Sequence, residues 1–216
     1  MEIKMKKIAY GLTLGLAGVA AMASTPTPTL AEAGDLIIRA RAIYVEPDES
    51  AVLTPINGTA EIDGVVTPEL DFTYFFTDNI AAELILATTR HSPSAIGTTL
   101  GDVELGKVSL LPPTLTLQYH FINSGGIKPY IGAGVNLTLF YNVDLPAATV
   151  TDIDYSDSFG FALQAGVDVP MNDDWFINLD VKKLFLNTDV TINSGAITGD
   201  VDINPWIFGI GFGKKF

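Results

Sequence analysis

Side chains able to do covalent or metal chemistry are scarce in this 216-residue chain, which has no cysteine and only two histidines, His91 and His120. That excludes a thiol nucleophile, a disulfide framework, a cysteine-ligated zinc and a lipid-modified N-terminal cysteine, and it excludes a multi-histidine metal centre. Nucleophilic catalysis needs a nucleophile and a base within reach of one another. Neither histidine has a serine and an acid in an ordered motif around it. Asp152, Asp154 and Asp157 lack the glycine and closing glutamate of a calcium loop, so with Asp200 and Asp202 they read as a solvated acidic face. The expectation is therefore no catalytic residue, no cofactor and no metal.

What remains is a set of charges in unusual company. Arg39, Arg41, Glu69, Asp71, Glu83, Asp168, Asp180 and Lys182 stand in segments that are otherwise apolar or small. Three are positive and five negative. Gathered in a narrow interior they would have to pair, because a buried charge without a partner is expensive. Two readings follow: a structural plug of ion pairs, or a polar gate or ion-selective constriction. The near balance of sign favours the plug, since a selective ring carries one sign.

The segments that position these charges follow from composition and period. Hydrophobic residues make up 48% and charged residues 17%, with net charge −13 and mean hydropathy +0.33. The acidic balance opposes nucleic acid as a partner. Lys4, Lys6 and Lys7 precede an apolar stretch from Ile8 to Met22, and Ala31-Glu32-Ala33 is a small-x-small site. This is the anatomy of a secretory signal peptide over residues 1–33, cut after Ala33, with Ala23 as the second choice. No later run is apolar for the ~18 residues that a spanning helix needs. An exported chain this apolar must place its surface elsewhere.

From Gly34 onward the period is two, which is the strand signature. Eight strands are expected, at 36–45, 66–76, 80–90, 107–121, 127–141, 156–170, 175–189 and 201–216. One face of each is bulky, as in Phe159, Phe161, Leu163 or Trp206, Phe208, Ile210, Phe212. The other is small or polar, as in Gly160, Ala162, Gln164 or Gly209, Gly211, Gly213. An eight-stranded interior is only just wide enough for side chains, so the small face must point in and the bulky face into lipid. Links after the second, fourth and sixth strands are short; those at 46–65, 91–106, 142–155 and 190–200 are long. The fold class expected is all-β: an eight-stranded antiparallel up-and-down transmembrane barrel with periplasmic turns and long extracellular loops. It closes on itself, so a monomer is expected.

Three local features bear on function. Pro112-Pro113 interrupts the fourth strand, where proline cannot donate to the ladder. It reads either as a bulge without further role or as a lateral opening from lumen to lipid. Val52, Leu53 and Ile56 are apolar for an exposed first loop and could roof the barrel. The alternate glycines at 132 and 134, and at 209, 211 and 213, read as small inward residues that let opposite walls approach.

The chain also resembles a known family. Phe72-Thr73-Tyr74 with Thr77-Asp78-Asn79-Ile80-Ala81-Ala82-Glu83-Leu84 looks like that family's second hairpin. Leu111-Pro112-Pro113-Thr114-Leu115 and Lys128-Pro129-Tyr130-Ile131-Gly132-Ala133-Gly134 look like its fourth and fifth strands. Gln164-Ala165-Gly166-Val167-Asp168, Asp174-Trp175 and Asn204-Pro205-Trp206 continue the likeness. The family is OmpW, small outer-membrane proteins that include the alkane importer AlkL. The resemblance implies a Gram-negative outer-membrane location and passive passage of small hydrophobic molecules, released sideways into the membrane. It also implies that Phe216 resembles the terminal signal read by the assembly machinery, with Lys214 a departure from its apolar pattern. The alternative function is a non-conducting barrel whose loops bind lipopolysaccharide or external partners.

Overall fold

The computed structural model describes residues 31–121, 126–146 and 150–216. Most of the expected signal peptide and of the turn at 123–126 lies outside the described residues. In chain order the strands are β1 (Leu36–Glu46), β2 (Ser50–Thr54), β3 (Thr59–Ile62), β4 (Val65–Phe75), β5 (Ile80–Ala87) and β6 (Thr89–His91). Next come β7 (Pro93–Thr98), β8 (Gly101–Glu104), β9 (Lys107–Leu111), β10 (Thr114–His120), β11 (Lys128–Asp144) and β12 (Ile153–Tyr155). The last are β13 (Ser158–Pro170), β14 (Trp175–Phe185), β15 (Asn187–Ile192), β16 (Ile197–Asp202) and β17 (Trp206–Lys215).

Eight antiparallel staves close into a barrel: β1, β4, β5 with β6, β10 with β9, β11, β13, β14 and β17. Closure is made by β1 against β17, in register from Ile37 opposite Lys215 to Glu46 opposite Trp206. A closed ladder gives the backbone the hydrogen bonds that lipid cannot supply. The side-chain faces fall as the alternation requires. Leu70, Leu117, Phe161, Phe208 and Ile210 point outward, while Arg39, Asp71, Gln164 and Asp168 are buried. Rings cluster near the rims, with Phe76, Phe121, Trp175 and Phe216 at the end carrying the short turns and Tyr44, Tyr141 and Trp206 toward the other. Such belts sit where ring bodies meet acyl chains and polar tips meet headgroups.

The short turns are set by side chains. Thr77 Oγ1 accepts from the Ile80 amide at 2.9 Å, and Asn172 Oδ1 accepts from the Trp175 amide at 2.9 Å. Both are the local side-chain-to-backbone bonds that make Thr and Asn good turn residues. The inward glycines act differently from expectation. They make room for the adjacent strand, some for its side chains and others, Gly134 and Gly211, for its backbone, rather than for the opposite wall. Gly213 faces Phe176 and Gly166 faces Tyr130 across adjacent strands, and a Cβ at either glycine would run into that ring.

The long links are not loops. Segment 46–65 contains β2 and β3, segment 91–106 contains β7 and β8, and β12 lies within 142–155. They build a four-stranded sheet, β12-β15-β16-β2, and a three-stranded sheet, β3-β7-β8. Three expected strands are also broken where the wall becomes extension: at Thr88, at Leu186, and at 203–205 before Pro205. The physical reason is a second apolar cluster beyond the barrel, including Leu53, Ile56, Leu105, Leu186, Val190 and Ile203, which the extra strands enclose.

Gly211 supplies a test of the inward-glycine reading. A Cβ there would lie 2.6 Å from Arg41 Cα on the paired strand. Gly211→Val is expected to destabilise the barrel by about 1–3 kcal/mol, the range for overpacking. The check is the temperature at which purified protein loses its compact gel mobility.

Candidate functional site

The barrel interior is filled by the eight charges named from sequence, and all eight are ion-paired. Arg39 and Arg41 stand two apart on β1, so both point inward. Arg39 reaches Asp71 at 3.0 Å and Asp168 at 2.8 Å, spanning the lumen from β4 to β13. Arg41 pairs with Glu83 at 3.0 Å, and its Nε lies 2.7 Å from Glu69 and its Nη2 2.8 Å from Asp71, close but off the hydrogen-bonding angle. Lys182 bridges Glu69 at 2.9 Å and Asp180 at 2.8 Å. Arginine suits this role because its planar fork engages several carboxylates at once.

Sequence reading missed the neutral partners that complete the network. Gln118 and Gln164 each donate to Glu83 Oε2 at 2.7 Å, and Tyr130 donates to Asp180 at 2.6 Å. Asn178 donates to Asp168 at 2.8 Å, and Thr73 accepts from Arg39 at 2.6 Å. The same alternation that selected the charges puts these residues on the inward face; attention to charge alone passed over them. His120 is buried among them, with Nε2 2.9 Å from Gln118 and its ring stacked on Tyr130. His91 lies far up the wall, its Nδ1 2.9 Å from the Asp63 carbonyl. Among the described residues, neither histidine has a serine as a hydrogen-bond partner.

Above the ionic layer the interior changes character. A chamber open to solvent at the top is floored by Glu69 and Lys182 and walled mainly by aliphatic side chains. Its lining includes Ile43, Leu53, Val108, Leu110, Leu184, Val190 and Ile207 from the barrel wall and its extension. Burial holds the wall's titratable groups toward their neutral forms. Burial pushes His91 below its ordinary value, outweighing the Asp63 carbonyl that holds its proton. Burial likewise pushes the Tyr155 phenol up to about 12.

The first-loop residues divide. Leu53 lines the chamber and Ile56 is buried in the cluster behind it. Val52 is 72% exposed and points away, so the roof expected of all three is corrected to a wall contributed by Leu53 and supported by Ile56. The period of two explains this: β2 turns alternate side chains to opposite faces.

Pro112-Pro113 separates β9 from β10, and the break is one-sided. Thr114 faces Ile85 and Leu110 faces Thr89, in the same register, yet the stretch 111–113 has no ladder pairing to 86–88 among the described residues. On the other side the Leu137 amide still donates to the Pro113 carbonyl at 3.0 Å, and Asn136 Nδ2 to the Pro112 carbonyl at 3.2 Å. Pro112 and Ala87 line the chamber at this gap. Tyr141 reaches over the outside, its hydroxyl 2.5 Å from Thr88 Oγ1.

A closed barrel with a bulky apolar girth, short turns at one end and an apolar chamber at the other defines an outer-membrane β-barrel protein. The family model for the OmpW family matches residues 32–216, and the chain belongs to that family. Outer-membrane protein y4mB of Sinorhizobium fredii is 43% identical over 183 residues, covering 83% of this chain and 79% of the relative. The dibenzothiophene metabolism operon protein PahQ of Pseudomonas aeruginosa is 30% identical over 162 residues, covering 74% of this chain and 75% of the relative. The crystal structure of the outer-membrane protein OprG from Pseudomonas aeruginosa superposes with a TM-score of 0.81 at 32% identity, covering 87% of this chain and 98% of that one. The protein is located in the outer membrane of a Gram-negative bacterium.

Arg39 tests whether the ionic layer is structural. Arg39→Ala leaves Asp71 and Asp168 buried with one partner fewer. It is expected to cost about 3–5 kcal/mol, as when one member of a buried pair is removed. Thermal unfolding should register that loss, while single-channel current changes little. Unchanged stability with a much larger current would mean that the layer is a gate.

Proposed function

We propose that the protein passively admits small hydrophobic molecules from outside, holds them in the apolar chamber and releases them sideways into the membrane at Pro112-Pro113. The observation that carries this reading is the juxtaposition of chamber, ionic floor and wall gap. An apolar solute entering from above meets Glu69 and Lys182 below, and crossing that layer would strip paired charges of their partners. At chamber height the stretches 86–88 and 111–113 share no ladder pairing among the described residues. Beyond it lies acyl chain, a solvent as apolar as the solute.

The relative PahQ, named for a dibenzothiophene metabolism operon, supports an aromatic hydrocarbon or its sulfur analogue as the solute class. The surrounding partners proposed are outer-membrane lipids and lipopolysaccharide about the girth, and the assembly machinery that reads Phe216 at the terminal strand. The barrel acts as a monomer, because its own ladder leaves no edge to share.

Uptake of labelled dibenzothiophene and of a labelled alkane by cells with and without the protein is the direct test. Faster uptake with the protein is expected. Replacing both prolines, as Pro112→Val with Pro113→Thr, restores donors to the ladder and should remove most of the increment while leaving the barrel folded. Undiminished uptake by that folded variant would refute lateral release. If even the native protein gives no increment, the second reading stands instead, a non-conducting barrel that binds lipopolysaccharide or other surface partners through its extension.

A further inference from the structure

The periplasmic end of the barrel is covered by residues that lie before the first strand. Ala31 is 3% exposed and packs with Ile37, Phe75, Ala81 and Phe176. Its carbonyl accepts from Lys128 Nζ at 2.8 Å. Lys128 is itself buried, with its ammonium 4.6 Å from the centre of the Phe75 ring. The segment is then stitched to the turns around it. The Ala33 amide donates to Asp78 Oδ1 at 3.0 Å, the Gly34 amide to the Phe75 carbonyl at 2.8 Å, and the Glu32 amide to Asp35 Oδ2 at 2.8 Å. Residues 31–34 therefore run across the tube's mouth rather than away from it.

This placement conflicts with the processing site expected from Ala31-Glu32-Ala33. A cut after Ala33 would discard the Ala31 methyl from the apolar cluster and take the carbonyl acceptor from the Lys128 ammonium. A cut after Ala31 would do the same and would add a new ammonium at Glu32, close to that lysine. Losing the acceptor of a buried charged donor carries the desolvation cost of that group. A second small-x-small site, Ala21-Met22-Ala23, directly ends the apolar stretch that runs to Met22, where an export peptidase cuts. The site at Ala33 is ten positions further on.

We infer that the precursor is cut after Ala23, so that the mature chain begins at Ser24 and keeps residues 31–34 as a strap closing the periplasmic mouth. The strap lies over that end through Ala31, separately from the ionic layer above it. It requires nothing of the transport reading, and its failure would leave the chamber and wall gap untouched.

The first residue is read without any variant, by intact-mass measurement of protein extracted from outer membranes. A chain beginning at Ser24 is expected; one beginning at Glu32 or Gly34 overturns the inference. Docking is read separately with single cysteines, because the native chain has none. In folded protein, Ala31→Cys should react with a water-soluble maleimide at least about tenfold more slowly than Ala33→Cys, since a buried site must open first. Adding Lys128→Met should bring the two rates close together. Equal rates before that change, in protein with normal heat-modifiable mobility, would show that no strap is docked.

Discussion

The absence of any hydrogen-bonding partner in hydrocarbon is the constraint from which the rest of this structure descends. It forces the sheet to close, and with eight staves the enclosed space admits little more than side chains. Most bulky residues then turn outward, apart from inward rings such as Phe176 and Tyr130, for which the facing Gly213 and Gly166 leave room. Phe161, Phe208 and Ile210 are exposed for this reason, not in spite of being apolar. The lumen is left to residues that fit by being small, such as Gly166 and Gly213, or by binding one another, such as Arg39 and Asp168.

Within that frame two solvents are stacked in one tube. The lower half is ionic and tightly cross-linked, with single arginines joining carboxylates from different staves. The upper half is aliphatic, built partly from strands that extend past the membrane. The boundary at Glu69 and Lys182 is abrupt. Each half is hostile to what the other would hold. A greasy molecule gains nothing by descending, and an ion gains nothing by rising. Above Glu69 and Lys182 no other carboxylate, lysine or arginine among the described residues lines the chamber, and burial biases His91 toward its neutral form.

The barrel, its orientation of faces and the eight interior charges were legible because each depends on a period of two, which survives in sequence without knowledge of pairing. The extension was not. Segments 46–65 and 91–106 carry turn-forming residues and mixed polarity, and their strands exist because Leu53 and Leu105 share a cluster with Leu186 and Val190 from distant parts of the chain. No local pattern reports that meeting. The role of Val52 failed for a smaller reason: a run of apolar residues hides which of them face the same way. The alternation places Gln164 on the inward face but not in the network, and Tyr130 is passed over, because neither carries a charge. The one-sidedness of the break at Pro112-Pro113 required the register of both neighbours, which a single strand does not contain.

That one-sidedness sets how the wall behaves under load. The strand β11 holds β9 and β10 on the same rail, through Leu111 opposite Leu139 and Thr114 opposite Asn136. The slit on the other flank is therefore a framed window: the pairs Ile85 with Thr114 below and Thr89 with Leu110 above bound it, and β11 keeps its two edges aligned. On the proposed route a hydrocarbon entering the slit displaces apolar contacts and the hydroxyl hydrogen bond between Tyr141 and Thr88 across its outside. On that route such an opening would need no fuel and would have no intrinsic direction; net flow would follow whichever side holds the solute at lower activity.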